Sequence, residues 1–369
     1  MLNITRVEPL PMHWPHGGSS AYVRITAEDG TFGLGEASPM YGGCASLQIV
    51  RDLAGDIEGT PALDSAVLQD TLFHKAIKLG PDGALAGALA AIDIAMWDLK
   101  GRLLGQPIYR LLGGAWRTTL PFYASIGGHG ARSVDQTVAE VERWMKKLEP
   151  VMIKIRFDAD KTTRDADIEG DIAKARAVRR LVGDGFPLAF DANNGLSVQG
   201  AIRIGRVLEE LGYVWFEEPV QHYHKAGFEK VAAALDVPIA AGEQEYTLGG
   251  VQALIDAGVG IIQADIIKTG GFTGLGHIAA LTRAAGVDFV PHQTQPVIGH
   301  VANMHLVATL LHSHYPVEYS DPWGRQDDVF INPPRPCRGS FTLTDAPGLG
   351  LELNEPALTA HLQPAAQVP

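Results

Sequence analysis

Apolar and polar positions follow two different rhythms along the chain, and the change comes near Thr118. Before it, residues 4–7, 21–26 and 32–36 read as short strands. Asp29-Gly30 is the hairpin turn between the last two, because glycine tolerates the positive φ that such turns require. A helical pattern follows, strongest over 85–104, where Ala86, Leu89, Ile92, Met96, Leu99 and Leu103 recur at three- and four-residue steps. Its other faces are also nearly apolar, so this helix is expected to be buried. From Thr118 onward short apolar strands alternate with amphipathic helices. Strands are expected to end near Ser125, Arg156, Asp191, Glu217, Gly242, Asp265, His292 and Glu318, with helices over 134–148, 167–181, 198–211, 273–285 and 299–311 among them. Such alternation with short loops predicts a parallel sheet with right-handed crossovers, and eight strands close it into a barrel. An open doubly wound sheet fits less well, since no glycine-rich phosphate loop follows the first strand. After Glu318 the texture changes to Asn332-Pro333-Pro334-Arg335-Pro336 and Pro347-Gly348-Leu349-Gly350, a tail expected to pack back on the N-terminal part.

Composition adds limits. The 369 residues are 46% hydrophobic and 20% charged, enough for two cores. A formal charge of -12 without any basic tract argues against nucleic acid or an anionic membrane surface as partner. Cys44 and Cys337 are too few for a disulfide framework, and Met1-Leu2-Asn3-Ile4-Thr5-Arg6 does not resemble a signal peptide. No apolar run approaches the ~20 residues of a membrane span. A soluble cytoplasmic protein is expected.

In a parallel barrel, side chains at the C-terminal ends of the strands converge on one mouth. Here those ends are polar. Asp191, Glu217 and Glu243 each follow an apolar strand, at equal intervals of 26 residues (217 − 191 and 243 − 217). Three acids gathered in one dry mouth repel unless a cation sits between them, and oxygen-only ligands select a hard ion, Mg²⁺ above Mn²⁺ or Ca²⁺. Solvated acids capping helices would not explain why each acid ends a strand. Lys154 and Arg156 share one face of the second strand and are expected to point into the barrel. Asp265 and His292 end adjacent strands, where a carboxylate can orient an imidazole for proton transfer. Lys268 is expected as a further cation near the metal acids. The stretches around Trp14, His16 and Tyr41 read as loops, either plain surface or a lid over a ligand.

With these residues in place, the chain resembles the enolase superfamily, specifically its mandelate racemase branch. Matching stretches run from residues 88–101, AlaLeuAlaAlaIleAspIleAlaMetTrpAspLeuLysGly, through Glu318, and include Phe216-Glu217-Glu218-Pro219 and Gly242-Glu243. The resemblance implies a modified TIM barrel, (β/α)₇β, with an α+β capping domain built from both termini: cap 1–115, barrel 116–325, and a returning segment 326–369. It implies one Mg²⁺ on Asp191, Glu217 and Glu243, with Mn²⁺ as a substitute. It further implies that His292 and Asp265 are the dyad that marks this branch, that Glu318 hydrogen-bonds the substrate carboxylate opposite the metal, and that the protein is a homo-oligomer.

One departure matters. Racemases of this branch typically carry Lys-x-Lys where this chain has Lys154-Ile155-Arg156. A guanidinium is a poor general base but a good anion clamp, which puts two-base racemisation in doubt. A one-base reaction survives: Mg²⁺, Lys154 and Glu318 polarise a carboxylate, His292 takes the α-proton, and a β-hydroxyl leaves. That is dehydration of an acid sugar to a 2-keto-3-deoxy acid, with a racemase, an epimerase or a sugar-acid lactone cycloisomerase of the same superfamily as the alternative. Asn193, Gln244, Trp14, His16 and Tyr41 are candidate contacts for substrate hydroxyls.

Overall fold

The computed structural model describes residues 2–15, 18–38, 43–127, 132–157, 162–295, 297–320 and 327–362. Three antiparallel strands open the chain, β1 (Ile4–His13), β2 (Ser19–Ala27) and β3 (Phe32–Ala37), in the order β1-β2-β3. β1 is longer than its alternation suggests because Pro9 and Pro11 read as breaks. It is an edge strand, where a proline's missing N–H removes no ladder bond. Four helices follow: α1 (Gly43–Ile57), α2 (Ser65–Ala76), α3 (Ala84–Leu104) and α4 (Ile108–Leu111). The expected apolar helix is α3, buried along most of its length. It lies close on the sheet because β3 offers no side chain at two positions: a Cβ on Gly33 or Gly35 would stand 2.1 Å from Ala95 O or 1.9 Å from Ala91 O.

Eight parallel strands then alternate with helices. They are β4 (Thr119–Ile126), β5 (Met152–Arg156), β6 (Leu188–Asp191), β7 (Trp215–Glu217), β8 (Ile239–Ala241), β9 (Ile261–Ile262), β10 (Asp288–Phe289) and β11 (Val317–Tyr319). The helices between them are α5 (Val134–Leu148), α6 (Ile168–Val182), α7 (Val198–Glu210), α8 (Lys225–Ala234), α9 (Leu248–Asp256), α10 (Gly271–Ala285) and α11 (Ile298–Ala308). Along the curled sheet the order is β10-β9-β8-β7-β6-β5-β4-β11. Between the two end strands run Gln293 N–H to Glu318 Oε2 at 2.9 Å and Ser313 Oγ to the Phe289 carbonyl at 2.7 Å. This is a modified TIM barrel capped by an antiparallel sheet.

β9 and β10 stop three residues short of Asp265 and His292. Pairing continues irregularly beyond them, with Val290 N–H on Ile262 O at 3.0 Å and His292 N–H on Gln263 O at 3.3 Å, so both residues still track the barrel wall. The tail contributes β12 (Ser340–Thr342), antiparallel to β4, and α12 (Glu355–His361). Arg24 pairs with Glu355 at 2.8 Å and Met12 bridges Leu362, which ties the tail to the first sheet.

Candidate active site

Six carboxylates and three fixed cations meet at the C-terminal ends of β5 to β11. Asp191 and Glu217 are register partners on β6 and β7, and Ala240 of β8 pairs with Glu217, which brings the third acid, Glu243, to the same rim. Lys154 is fully buried beneath them, with Nζ 2.5 Å from Glu217 Oε1, 3.0 Å from Glu318 Oε1 and 4.0 Å from Asp191 Oδ2. Arg156 Nε lies 3.5 Å from Asp191 Oδ2. Burial works against both cations, yet the surrounding acids hold their pKa values above the ordinary lysine and arginine range.

The dyad is formed. His292 Nδ1 lies 2.8 Å from Asp265 Oδ2, Ile267 N–H donates to Asp265 Oδ1 at 3.1 Å, and His292 Nε2 lies 3.1 Å from Glu243 Oε2. Burial would lower the imidazole pKa, but Glu243, Asp265 and Glu318 outweigh it and raise it. Glu318 is buried and Glu243 half-buried, and desolvation alone would raise both; His292 with Lys268 at Glu243, and Lys154 with His292 at Glu318, hold each at about 2. Glu318 Oε2 accepts from Gln293 N–H at 2.9 Å, so as placed it is an acceptor between Lys154 and Gln293.

Other acids go the opposite way. Burial raises Glu217 to about 7 against the pull of Lys154, and pushes Glu218 far up, helped by the charges of Glu243, Asp191 and Glu217. Burial raises Asp191 as well. Asp191, Glu217, Glu218, Glu243, Asp265 and Glu318 outnumber Lys154, Arg156 and Lys268 by three (6 − 3). All-oxygen donors, crowded so that burial raises three of the six acids, suit a hard dication that would favour their charged forms. Among the described residues, however, no three Asp, Glu, His or Cys side chains converge as metal ligands. Each candidate ligand is engaged: Asp191 accepts from Asn193 N–H (2.8 Å) and Nδ2 (2.5 Å), Glu217 Oε2 from Trp215 Nε1 (3.0 Å) and Gln263 Nε2 (2.7 Å), and Glu243 faces His292. The donor chemistry fits Mg²⁺; the ligating geometry is not assembled.

Of the expected substrate contacts, Asn193 is hydrogen-bonded to Asp191, Gln244 Nε2 lies 3.2 Å from Glu218 Oε2, and Lys268 Nζ donates to the Glu243 carbonyl at 2.9 Å. Trp14 is buried: it donates to Ser20 Oγ at 3.2 Å and packs on Tyr22 and His361. His16 and Tyr41 fall outside the described residues. Glu218, Trp215 and Gln263 were not anticipated. Trp215 and Gln263 stand two residues before Glu217 and Asp265, and the period of two that pairs Lys154 with Arg156 would have found them. Backbone strain also marks the rim, with φ of 44° at Asn193, 65° at Asn194 and 40° at Glu218, beside Asp191 and Glu217. A cavity of about 330 Å³ between α2, α3, α9 and α10 is lined by Phe73, Leu89, Thr247 and His277 and by none of the six acids.

The comparisons with known proteins agree with this fold. Residues 4–113 match the mandelate racemase / muconate lactonizing enzyme N-terminal domain, and residues 136–357 match the enolase C-terminal domain-like family. The chain is 32% identical over 356 residues to D-galactarolactone cycloisomerase of Agrobacterium fabrum, covering 93% of this chain and 91% of that one. It is 29% identical to arabinonate dehydratase of Saccharolobus solfataricus, covering 90% and 88% of the two chains. A mandelate racemase/muconate lactonizing protein from Paracoccus denitrificans, solved in complex with magnesium, is 57% identical and superposes with a TM-score of 0.96 over 98% of this chain and 99% of its own. The chain belongs to the enolase superfamily, in its mandelate racemase branch.

Proposed function

We propose that this chain is a Mg²⁺-dependent lyase that dehydrates an acid sugar to a 2-keto-3-deoxy acid. The observation that carries this reading is the flanking of the metal acids along the sheet. Asp191, Glu217 and Glu243 lie on or just after β6, β7 and β8; beyond β8 stands the buried His292-Asp265 dyad, and before β6 stands Arg156, a guanidinium in place of a second amine base. Asp191, Glu217 and Glu243 would hold the Mg²⁺, which when bound polarises the substrate carboxylate and makes its α-proton acidic.

Asp265 fixes His292 through Nδ1, leaving Nε2 as the atom that exchanges a proton. Nε2 takes the α-proton and returns it to the β-hydroxyl as that group leaves, so one residue serves as base and then acid. Lys154 holds the substrate carboxylate, and Glu318, across from the metal acids, hydrogen-bonds it through a proton that the like charge of the incoming carboxylate would favour on Glu318. Arg156 stays charged and clamps the carboxylate or a neighbouring hydroxyl. Asn193, Gln244, Lys268, Trp14, His16 and Tyr41 are kept as candidate contacts along the sugar chain. The protein is read as a cytoplasmic homo-oligomer that acts on a small carboxylate and not on nucleic acid; with a formal charge of -12, Lys154 and Arg156 supply the local positive charge that captures the anion.

Proton NMR in deuterated water with Mg²⁺ and a panel of acid sugars tests the reading. Loss of water with a new keto acid supports it, whereas α-deuterium exchange without loss of water would sink it. The Agrobacterium relative favours a second reading, lactone cycloisomerisation. It uses the same proton abstraction with a lactone carboxylate as leaving group, and the same spectra would show an isomer of unchanged composition.

A further inference from the structure

Glu36 is a fully buried carboxylate of the capping sheet, and the reaction above gives it no task. Gly33 and Gly35 of β3 face α3, so the alternate residue Glu36 points away from α3 and toward the barrel. There its Oε2 accepts from the N–H of Gly299, the second residue of α11, at 3.1 Å.

Gly299 is a junction. A Cβ on it would meet Gln295 Cβ and Ile267 Cγ2, each at 3.1 Å, so its backbone already rests against both loops that carry the dyad. Ile267 N–H donates to Asp265 Oδ1 at 3.1 Å. Asn303, one turn further along α11, donates to the His292 carbonyl at 3.2 Å. Displacement of the first turn of α11 therefore moves both members of the dyad.

The carboxyl is also held from the cap side. Tyr22 is its cross-strand partner, and Ser20, which receives the Trp14 indole N–H at 3.2 Å, stands beside it. Burial pushes its pKa up to about 8, against the Gly299 N–H and with the help of the Asp265 charge. Near neutrality the group is mainly an uncharged acid, which an amide copies in size and hydrogen bonding.

We propose that Glu36 is a positioning residue: from the cap it fixes the first turn of α11 and, through it, the placement of His292 against Asp265. This rests on the dyad being the proton-transfer device of the proposed function. Glu36 is hydrogen-bonded to the dyad's surroundings through Gly299 and reaches no reacting atom.

The test compares Glu36→Ala, Glu36→Gln and, as a control for lost cap stability, Asp98→Asn. Asp98 accepts from the Leu34 and Leu349 N–H groups and not from the dyad loops. With the full chain and Mg²⁺, E36A is expected to lose kcat by roughly 10- to 100-fold while KM stays within about twofold. E36Q should keep wild-type kcat, and D98N should melt earlier with kcat unchanged. The low-field Nδ1–H proton resonance of His292 should move in E36A and not in E36Q, a readout that needs no substrate. If the wild type turns over no acid sugar, the functional reading fails while this resonance still decides the role of Glu36. Should E36A not fold, Glu36→Asp, shorter by one methylene, carries the same outcomes. Wild-type kcat in folded E36A, or an unmoved resonance, overturns the proposal.

Discussion

His292 Nδ1 stands 2.8 Å from Asp265 Oδ2, with both side chains closed off from solvent. A neutral amide at 265 could still occupy the site, but it would not stabilise the imidazolium that proton abstraction creates. Asp265→Asn is therefore expected to lower kcat by about 10²- to 10⁴-fold, and His292→Asn to abolish turnover. Neither residue is among the proposed metal ligands, so Mg²⁺ affinity measured by calorimetry should stay nearly unchanged in both. Wild-type turnover in H292N would remove the proposed base.

Arg156 supports a different expectation. Its Nε lies 3.5 Å from Asp191 Oδ2, and the surrounding acids keep it protonated despite burial. If it clamps the substrate anion, Arg156→Met should raise KM by about 10- to 100-fold, the scale of one lost charged hydrogen bond. Because it is no base, the stereochemistry of α-deuterium incorporation should stay confined to one face. A kcat collapse in R156M with unchanged KM would instead assign it to the proton-transfer step.

Part of this site is legible in the sequence. The acids at 191, 217 and 243 stand out because the barrel unit repeats and each follows an apolar strand. The dyad is readable by the same logic, although β9 and β10 end at Ile262 and Phe289, short of Asp265 and His292. What stays hidden depends on distant pairings. Glu36 and Gly299 meet across 263 residues, and nothing local to either announces the contact. The full length of β1 is hidden for another reason: its prolines are compatible with a strand only because it lies at the sheet edge, which is a property of the assembled sheet. Sequence order likewise does not reveal that Glu217 and Glu243 point to internal partners, Lys154 and His292.

His300 gives a stability test that needs no turnover. Its ring packs on Phe341 at 4.5 Å and Tyr319 at 5.5 Å between centroids, and neither ring nitrogen has a hydrogen-bond partner among the described residues. Burial alone lowers its pKa to about 3. In the unfolded chain the value returns to about 6.5. Between these values the unfolded chain binds a proton that the folded chain refuses, so the stability contributed by neutral His300 is complete above pH ~6.5 and is lost as pH falls. Glu36 and Asp93, raised by burial to about 8 and about 7, slope the other way and together outweigh His300 in the wild-type curve. The difference between wild type and His300→Leu removes them. Urea unfolding should show the wild type losing about 2 kcal/mol relative to H300L between pH 7 and pH 5. A difference that does not change with pH would mean that His300 takes up its proton without leaving the folded core.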